Sequence, residues 1–300
     1  MEQNDEKIGI IYTTSAYLLW GFLPIYWKLI QEVPAGEILA HRIIWSFLFM
    51  IGIIVMKQKG RAFIAECKII LRDKRKLAGI TLASVMISIN WLTYIWAVNT
   101  DHVIQASLGY YINPLVSILL GIIVLKESLT RRQLLSFFLA GIGVTFLTIS
   151  YGVFPWVALL LAFSFGFYGL LKKMVDIGPM FGLAIETMIV TPLALLYVPL
   201  FTENKIVQHS VLSSTTLLLV GAGIVTAIPL LLFASGAKKI PLSMVGFLQY
   251  FAPTIMLILG VFVYEETFTT AHLISFMLIW IALIIYMGSA YRRPSRRVSK

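Results

Sequence analysis

The chain predicts an all-α polytopic membrane protein, with ten transmembrane helices in two inverted five-helix repeats. Three observations carry that reading. The 300 residues are 59% hydrophobic and 13% charged, with a mean hydropathy of +0.89, whereas an average soluble domain is about 25% charged. The charges cluster and leave apolar stretches of roughly 20 residues, the length that crosses a bilayer core. The second half also repeats the first. Displaced by 139 positions, Tyr111, Pro114, Gly121, Glu127, Ser136 and Phe137 fall on Tyr250, Pro253, Gly260, Glu266, Ser275 and Phe276.

The repeat keeps its core and exchanges its loop charges. Lys126, Arg131 and Arg132 fall on Glu265, Thr270 and Ala271, while Asn99 and Thr100 fall on Lys238 and Lys239. Basic loops stay on the cytoplasmic side of a membrane. A repeat with exchanged loop charges is therefore a repeat inserted upside down, an arrangement common among secondary transporters.

The spans follow in order. The first, 8–30, comes after an acidic start (Met1 to Lys7) with no small-residue cleavage site, so it reads as a retained helix and not a signal peptide. The second, 35–56, carries Glu37, His41, Arg42 and Trp45, and 57–76 is a short basic connection. The third, 77–98, holds Asn90, Trp91 and Tyr94 and turns at Asn99, Thr100 and Asp101 into the fourth, 103–125. Ser107, Tyr110, Asn113 and Ser117 stripe one face of that helix, and Pro114 removes a backbone donor beside Asn113. The fifth, 132–149, ends at Ser150, Tyr151 and Gly152. The second repeat supplies 153–171, 179–200 with Glu186, 213–235, 241–263 with Ser243, Gln249, Tyr250 and Pro253, and 270–290. This gives a first repeat at 8–149, a second at 153–290 and a basic tail at 291–300.

With the N-terminus inside, 21 of the 24 Lys and Arg lie on the cytoplasmic side. Lys28 and Lys205 are outside and Arg42 is within a span. Both termini are expected in the cytoplasm of a bacterial cell membrane. The net charge of +10 follows from those loops and does not call for nucleic acid. A single cysteine, Cys67, excludes an intrachain disulfide and lies in the basic connection, where a reduced thiol is expected.

Ionisable groups within spans are costly and face a bundle interior or a cavity. His41, Arg42 and Glu186 are candidates for proton coupling or gating, since a buried histidine can titrate near neutrality. The alternatives are an interfacial Glu37, a snorkelling Arg42 and structural pairing. Glu37 and His41 supply only two ligands, so no metal is expected, and no cofactor. The repeat-related prolines Pro114 and Pro253, expected as helix breaks beside amide side chains, point to a binding site; kinked helices with amides as interhelical glue are the alternative. Asn90, Trp91, Tyr94, Tyr110, Asn113, Gln249 and Tyr250 are the expected substrate-binding residues. Tyr26, Trp27 and Trp96 are expected in the interfacial aromatic belt.

Several strings carry a family resemblance: Trp20 to Lys28 (WGFLPIYWK), Glu37 to Arg42 (EILAHR), Asn90 to Asn99 (NWLTYIWAVN), Ala106 to Pro114 (ASLGYYINP), Leu242 to Tyr250 (LSMVGFLQY) with Pro253, and Glu186 with Thr187. Together they resemble the RarD branch of the EamA transporters, in the drug/metabolite transporter superfamily. The resemblance implies two inverted EamA repeats, a bacterial inner-membrane location and export of small organic molecules, with a chloramphenicol-type substrate. The expected partners are a small-molecule substrate, the lipid bilayer and protons. A homodimer is compatible with the sequence, which leaves the oligomeric state open. No GxxxxGK[ST] string is present, so ATP is not the direct energy source. The rival reading is a membrane-embedded enzyme or sensor, which would need convergent catalytic groups or a soluble output domain.

Overall fold

The computed structural model describes residues 2–99, 103–152, 154–201, 213–263, 265 and 269–291, and every regular element among them is helical. In chain order the helices are α1 (Glu2–Lys28), α2 (Ala35–Met56), α3 (Gly60–Arg72), α4 (Lys74–Asn99), α5 (Val103–Ile123) and α6 (Arg131–Tyr151). Then come α7 (Trp156–Met174), α8 (Pro179–Phe201), α9 (Ser214–Ala237), α10 (Leu242–Gln249), α11 (Phe251–Phe262) and α12 (Thr270–Tyr291). Nine described stretches are long and apolar enough to cross a bilayer, with α10 and α11 counted together, and α5, apolar over Leu108–Ile123, makes the tenth. Helix is what lipid demands, because every backbone donor and acceptor must find its partner within the segment. Lys205, Glu266 and the tail from residue 292 onward lie outside the described residues.

Helix ends are fixed by local chemistry. Thr130 and Gln133 form a reciprocal capping box at the start of α6, and Ser213 accepts from the Thr216 amide at the start of α9. Gly152 closes α6 in the left-handed region at φ 68°. Lys126 and Glu265, one repeat apart, both sit at positive φ (57° and 53°) beyond the ends of α5 and α11. The repeat seen in the sequence is thus reproduced by the backbone at a position where the two side chains carry opposite charge.

Two expectations are corrected. The connection 57–76 contains the helix α3. Phe63 and Ile70, seven residues apart, bury on one face, with Phe63 packed on Phe181 at 5.7 Å between ring centroids. The exposed apolar residues Ile64, Ile69 and Leu71 stand among its charged ones and blur that period. Burial pushes the Cys67 thiol up, with the Glu66 charge adding to it. The repeat-related prolines also behave differently. The ninth span is interrupted at Tyr250, three residues before Pro253, whereas α5 runs unbroken through Pro114. A membrane helix absorbs a proline where a neighbour packs closely against it. Beside that proline α10 comes close, with a Cβ on Gly246 falling 2.7 Å from the Pro114 carbonyl oxygen.

The largest helix interfaces all join one repeat to the other. Three of them pair a helix with its own repeat mate: α2 with α8, α5 with α10, and α6 with α12. The others come in symmetric couples. The helix α5 packs on α7 as α10 and α11 pack on α1, and α4 lies on α7 as α9 lies on α1. Exchanging the two halves maps the pattern onto itself, as a pseudo-two-fold requires.

Small residues let these helices approach. A Cβ on Gly236 would sit 2.1 Å from the Thr13 hydroxyl and 2.8 Å from the Gly9 carbonyl. Overpacking typically costs about 1–3 kcal/mol. Gly236→Ala is expected to lower the thermal stability of the detergent-purified protein by several degrees. Gly141→Ala, where no atom lies within 4 Å, is expected to leave it unchanged.

Candidate functional site

Between the two repeats lies a cavity of about 80 Å³, well above the ~15 Å³ that admits one water. Its walls come from α1 (Tyr17, Trp20, Leu23, Pro24, Trp27), α2 (Arg42), α4 (Asn90, Trp91, Tyr94) and α5 (Tyr110, Asn113). The second repeat adds Phe165 from α7, and Gln249, Ala252, Pro253 and Met256 from α10 and α11. Every contributing helix presents residues from mid-span or from the half remote from its lysine- and arginine-bearing end. The cavity therefore occupies one side of the bundle, away from the basic end.

The polar groups in the wall differ in how they are satisfied. The Asn90 amide donates to the Leu161 carbonyl (2.9 Å) and the Ser164 hydroxyl (3.1 Å), tying α4 to α7. Gln249 accepts from the Ser117 hydroxyl at 3.3 Å. Both amides serve partly as interhelical glue. Asn113 is 4% exposed and its side-chain oxygen has no partner among the described residues. Arg42 is 7% exposed. Its Nε donates to the Thr226 hydroxyl at 3.1 Å, and its guanidinium carbon lies 4.6 Å from the Trp27 ring centroid and 4.7 Å from that of Trp91. The Tyr94 and Tyr110 rings meet edge to face at 5.7 Å.

Of the residues expected to bind substrate, Asn90, Trp91, Tyr94, Tyr110, Asn113 and Gln249 line this cavity together with Arg42 and Pro253. Tyr250 does not. One position beyond Gln249, it turns about 100° round the helix into a second core cluster with Leu108, Tyr111, Ala140 and Phe276, where it is 1% exposed. Pro114 is also absent from the wall. Trp27, expected in the aromatic belt, turns inward onto Arg42, while Trp96 remains 39% exposed against Trp156. Sequence reasoning missed Tyr17, Leu23, Pro24, Phe165 and Met256 as wall residues. Only Pro24, inside an aromatic-rich stretch of α1, carried a signal.

His41 and Glu186 are in separate places and outside the cavity. His41 accepts from the Trp45 indole at 3.1 Å. Glu186 is ion-paired with Lys172 at 2.7 Å, with the pair 4% and 6% exposed, and accepts from the Tyr168 hydroxyl at 3.2 Å. The two small clefts bordering Glu186 are about 10 Å³ each, too small for an organic ligand.

The basic end is closed by polar ties onto the loop between α9 and α10. Glu127 accepts from the backbone amides of Leu242 (2.6 Å) and Ser243 (2.9 Å), capping α10, which has no side-chain cap of its own. The Lys173 ammonium donates to the carbonyls of Ala237 (3.2 Å) and Ile240 (2.5 Å). Lys238 reaches the Ile177 carbonyl, and Lys239 pairs with Asp5.

Ten spans in inverted repeats, enclosing a polar and aromatic cavity between them, form an architecture that recurs among membrane transporters. The comparisons with known proteins agree. The model of the EamA-like transporter family matches residues 7–149 and 155–288, and the chain belongs to that family, in its RarD branch. It is 49% identical over 301 residues to an uncharacterized transporter, YojE, of Bacillus subtilis strain 168, covering 99% of each chain. It is 41% identical to protein RarD of Escherichia coli K12 over the full length of both, and 41% identical to protein RarD of Salmonella typhi over 97% of this chain and 98% of that one. A solved crystal structure at 18% identity superposes with a TM-score of 0.73, covering 95% of this chain and 99% of the other, which shows a shared fold. The protein is a multi-pass membrane transporter of small molecules.

The Tyr250 hydroxyl is buried and without a partner among the described residues, a situation that costs about 1–3 kcal/mol. Tyr250→Phe is expected to leave the melting temperature unchanged or raise it, with no effect on ligand-induced stabilisation. Gln249→Ala, one residue earlier, is expected to alter that stabilisation.

Proposed function

We propose that the protein moves small organic molecules across the bacterial cytoplasmic membrane by alternating access, with both termini in the cytoplasm. The observation that carries this reading is the asymmetry of the bundle about its pseudo-two-fold. The cavity lies on the side away from the basic end, and the basic end is held shut by Glu127, Lys173, Lys238 and the Gly9–Gly236 crossing. By the positive-inside rule the closed end is the cytoplasmic one, so this is the outward-facing arrangement. The symmetric packing of the halves supports a second arrangement in which the closed and open ends exchange roles. A chloramphenicol-type cargo rests on the family resemblance alone.

In this reading the Glu127 carboxylate is a latch on the cytoplasmic side. Charge-assisted hydrogen bonds contribute about 1.5–3 kcal/mol each. Losing both shifts a two-state equilibrium by at least about tenfold. The expected outcome is that Glu127→Ala raises the labelling of a cysteine at Ser117, one turn below Asn113, by a membrane-impermeant thiol reagent applied from the cytoplasmic face. The background is Cys67→Ser. Unchanged labelling from that face would remove the latch from the mechanism.

Of the groups expected to couple protons, Glu186 is the one tied to a cation, Lys172, so a proton taken up there would have to displace that pair. Protonating it would release Lys172, which lies beside the closed end, and the freed ammonium could help that end open. A pH gradient is expected to drive flux in proteoliposomes of the wild type, and Glu186→Gln is expected to retain exchange while losing the response. Equal responses in both would end the coupling proposal.

A further inference from the structure

The transport reading leaves the chemistry of the cargo undefined, and the cavity wall contains a positive charge with no carboxylate partner among the described residues. Arg42 has no Asp or Glu within ion-pair distance among the described residues. The carboxylate of Glu186 lies outside this cavity and is paired with Lys172. A buried guanidinium without a counter-charge is expensive, and its partners here offset only part of that. Thr226 takes the Nε proton, which leaves the four N–H donors of the two terminal nitrogens without a carboxylate. The guanidinium carbon lies over the Trp27 and Trp91 rings, 4.6 and 4.7 Å from their centroids. Such contacts stabilise a desolvated cation, yet they satisfy no hydrogen bond. With Thr226 they hold the fork in place, so little rotamer entropy remains to be lost when an acceptor arrives.

A second observation points to the same ligand. The Asn113 amide also faces the cavity, and its buried oxygen has no partner. An amide offers a donor and an acceptor, so it pairs with a neutral polar group such as an amine, amide or hydroxyl. The rest of the wall is largely aromatic and aliphatic: Trp20, Leu23, Tyr94, Phe165 and Met256. Among the described residues Arg42 is the one cationic side chain in the wall. One fixed positive charge matches one negative charge, and a dianion would carry an unpaired charge into a low-dielectric site.

Accepting the transport reading, we infer that the cargo is a small organic monoanion. A carboxylate seats on Arg42 between Trp27 and Trp91, an apolar body lies against the aromatic wall, and a neutral polar substituent meets Asn113. Arg42 is then a specificity-determining residue. Its charge selects the ligand, and the paired indoles hold it ready.

The test uses the purified full chain in nanodiscs and a series of monocarboxylates from acetate through phenylacetate to indole-3-acetate. Each is set against its primary amide and the corresponding amine, and thermal stabilisation is measured. At least one carboxylate is expected to stabilise the wild type and to bind at least about tenfold more tightly than its amide, with the amine inert. Arg42→Gln is expected to erase the difference between acid and amide, and Arg42→Lys to keep part of it. Should Arg42→Gln fail to fold, Trp27→Leu supplies the second variant, with a weakened preference for the acid. Amides matching their acids, amines binding best, or no stabilisation across the acids would each overturn the inference. Those outcomes leave the transport reading standing, because the sided labelling at Ser117 is read without any ligand.

Discussion

Helices in lipid gain nothing from hiding apolar surface, since the tails around them are as apolar as leucine. What holds this bundle together is contact distance, and every other feature depends on it. Gly236 lies against Thr13 and Gly9, Gly223 against the Trp45 and Ser46 backbone, and Gly246 against the Pro114 carbonyl. Each crossing joins one repeat to the other. The two halves therefore interlock instead of docking as finished domains, and neither half has a core it could keep on separation. Ser46 donating to the Gly223 carbonyl at 3.0 Å illustrates the pattern: a polar contact becomes available only because two backbones have come close.

Interlocking also explains where the costly polar groups lie. Arg42 and Asn113 from the first repeat and Gln249 from the second line the cavity between the repeats, and Glu127 reaches from beyond the end of α5 to the start of α10. Lys172 and Glu186, both within the second repeat, are covered there as well. A side chain that cannot be exposed to lipid can be exposed only to the partner repeat or to a cavity. The polar inventory is thus a map of the surface along which the halves meet, and a conformational change along that surface would have to exchange these contacts.

Much of this was legible in the sequence because membranes impose few rules and impose them strictly. Span length, loop charge and the 139-residue displacement each report on a separate constraint, and they agreed. The side chains around the cavity were legible where chemistry was unusual for its depth, as with Asn90, Asn113 and Gln249. The misplacements have a common cause. Tyr250 and Gln249 are neighbours in sequence but face different clusters, and a helix broken at Tyr250 rather than at the proline itself shifts that facing unpredictably. Trp27 has the composition of a belt residue, and only the arrival of Arg42 from α2 turns it inward. The helix α3 was concealed because its thirteen residues are too short and too charged to register as a span, although its apolar residues favour one face.

Lys126 and Glu265 give the two repeats the same left-handed turn with opposite charges, and both side chains are exposed. Shape and orientation are therefore written in different atoms. The backbone dihedral ends the helix, and the solvated side chain adds to the charge bias that decides which face of the membrane that end occupies. A five-helix unit of this kind can be reversed by a handful of surface substitutions, with its packing untouched. Changes at such exposed positions alter which way a repeat inserts and leave the buried crossings between the repeats as they are.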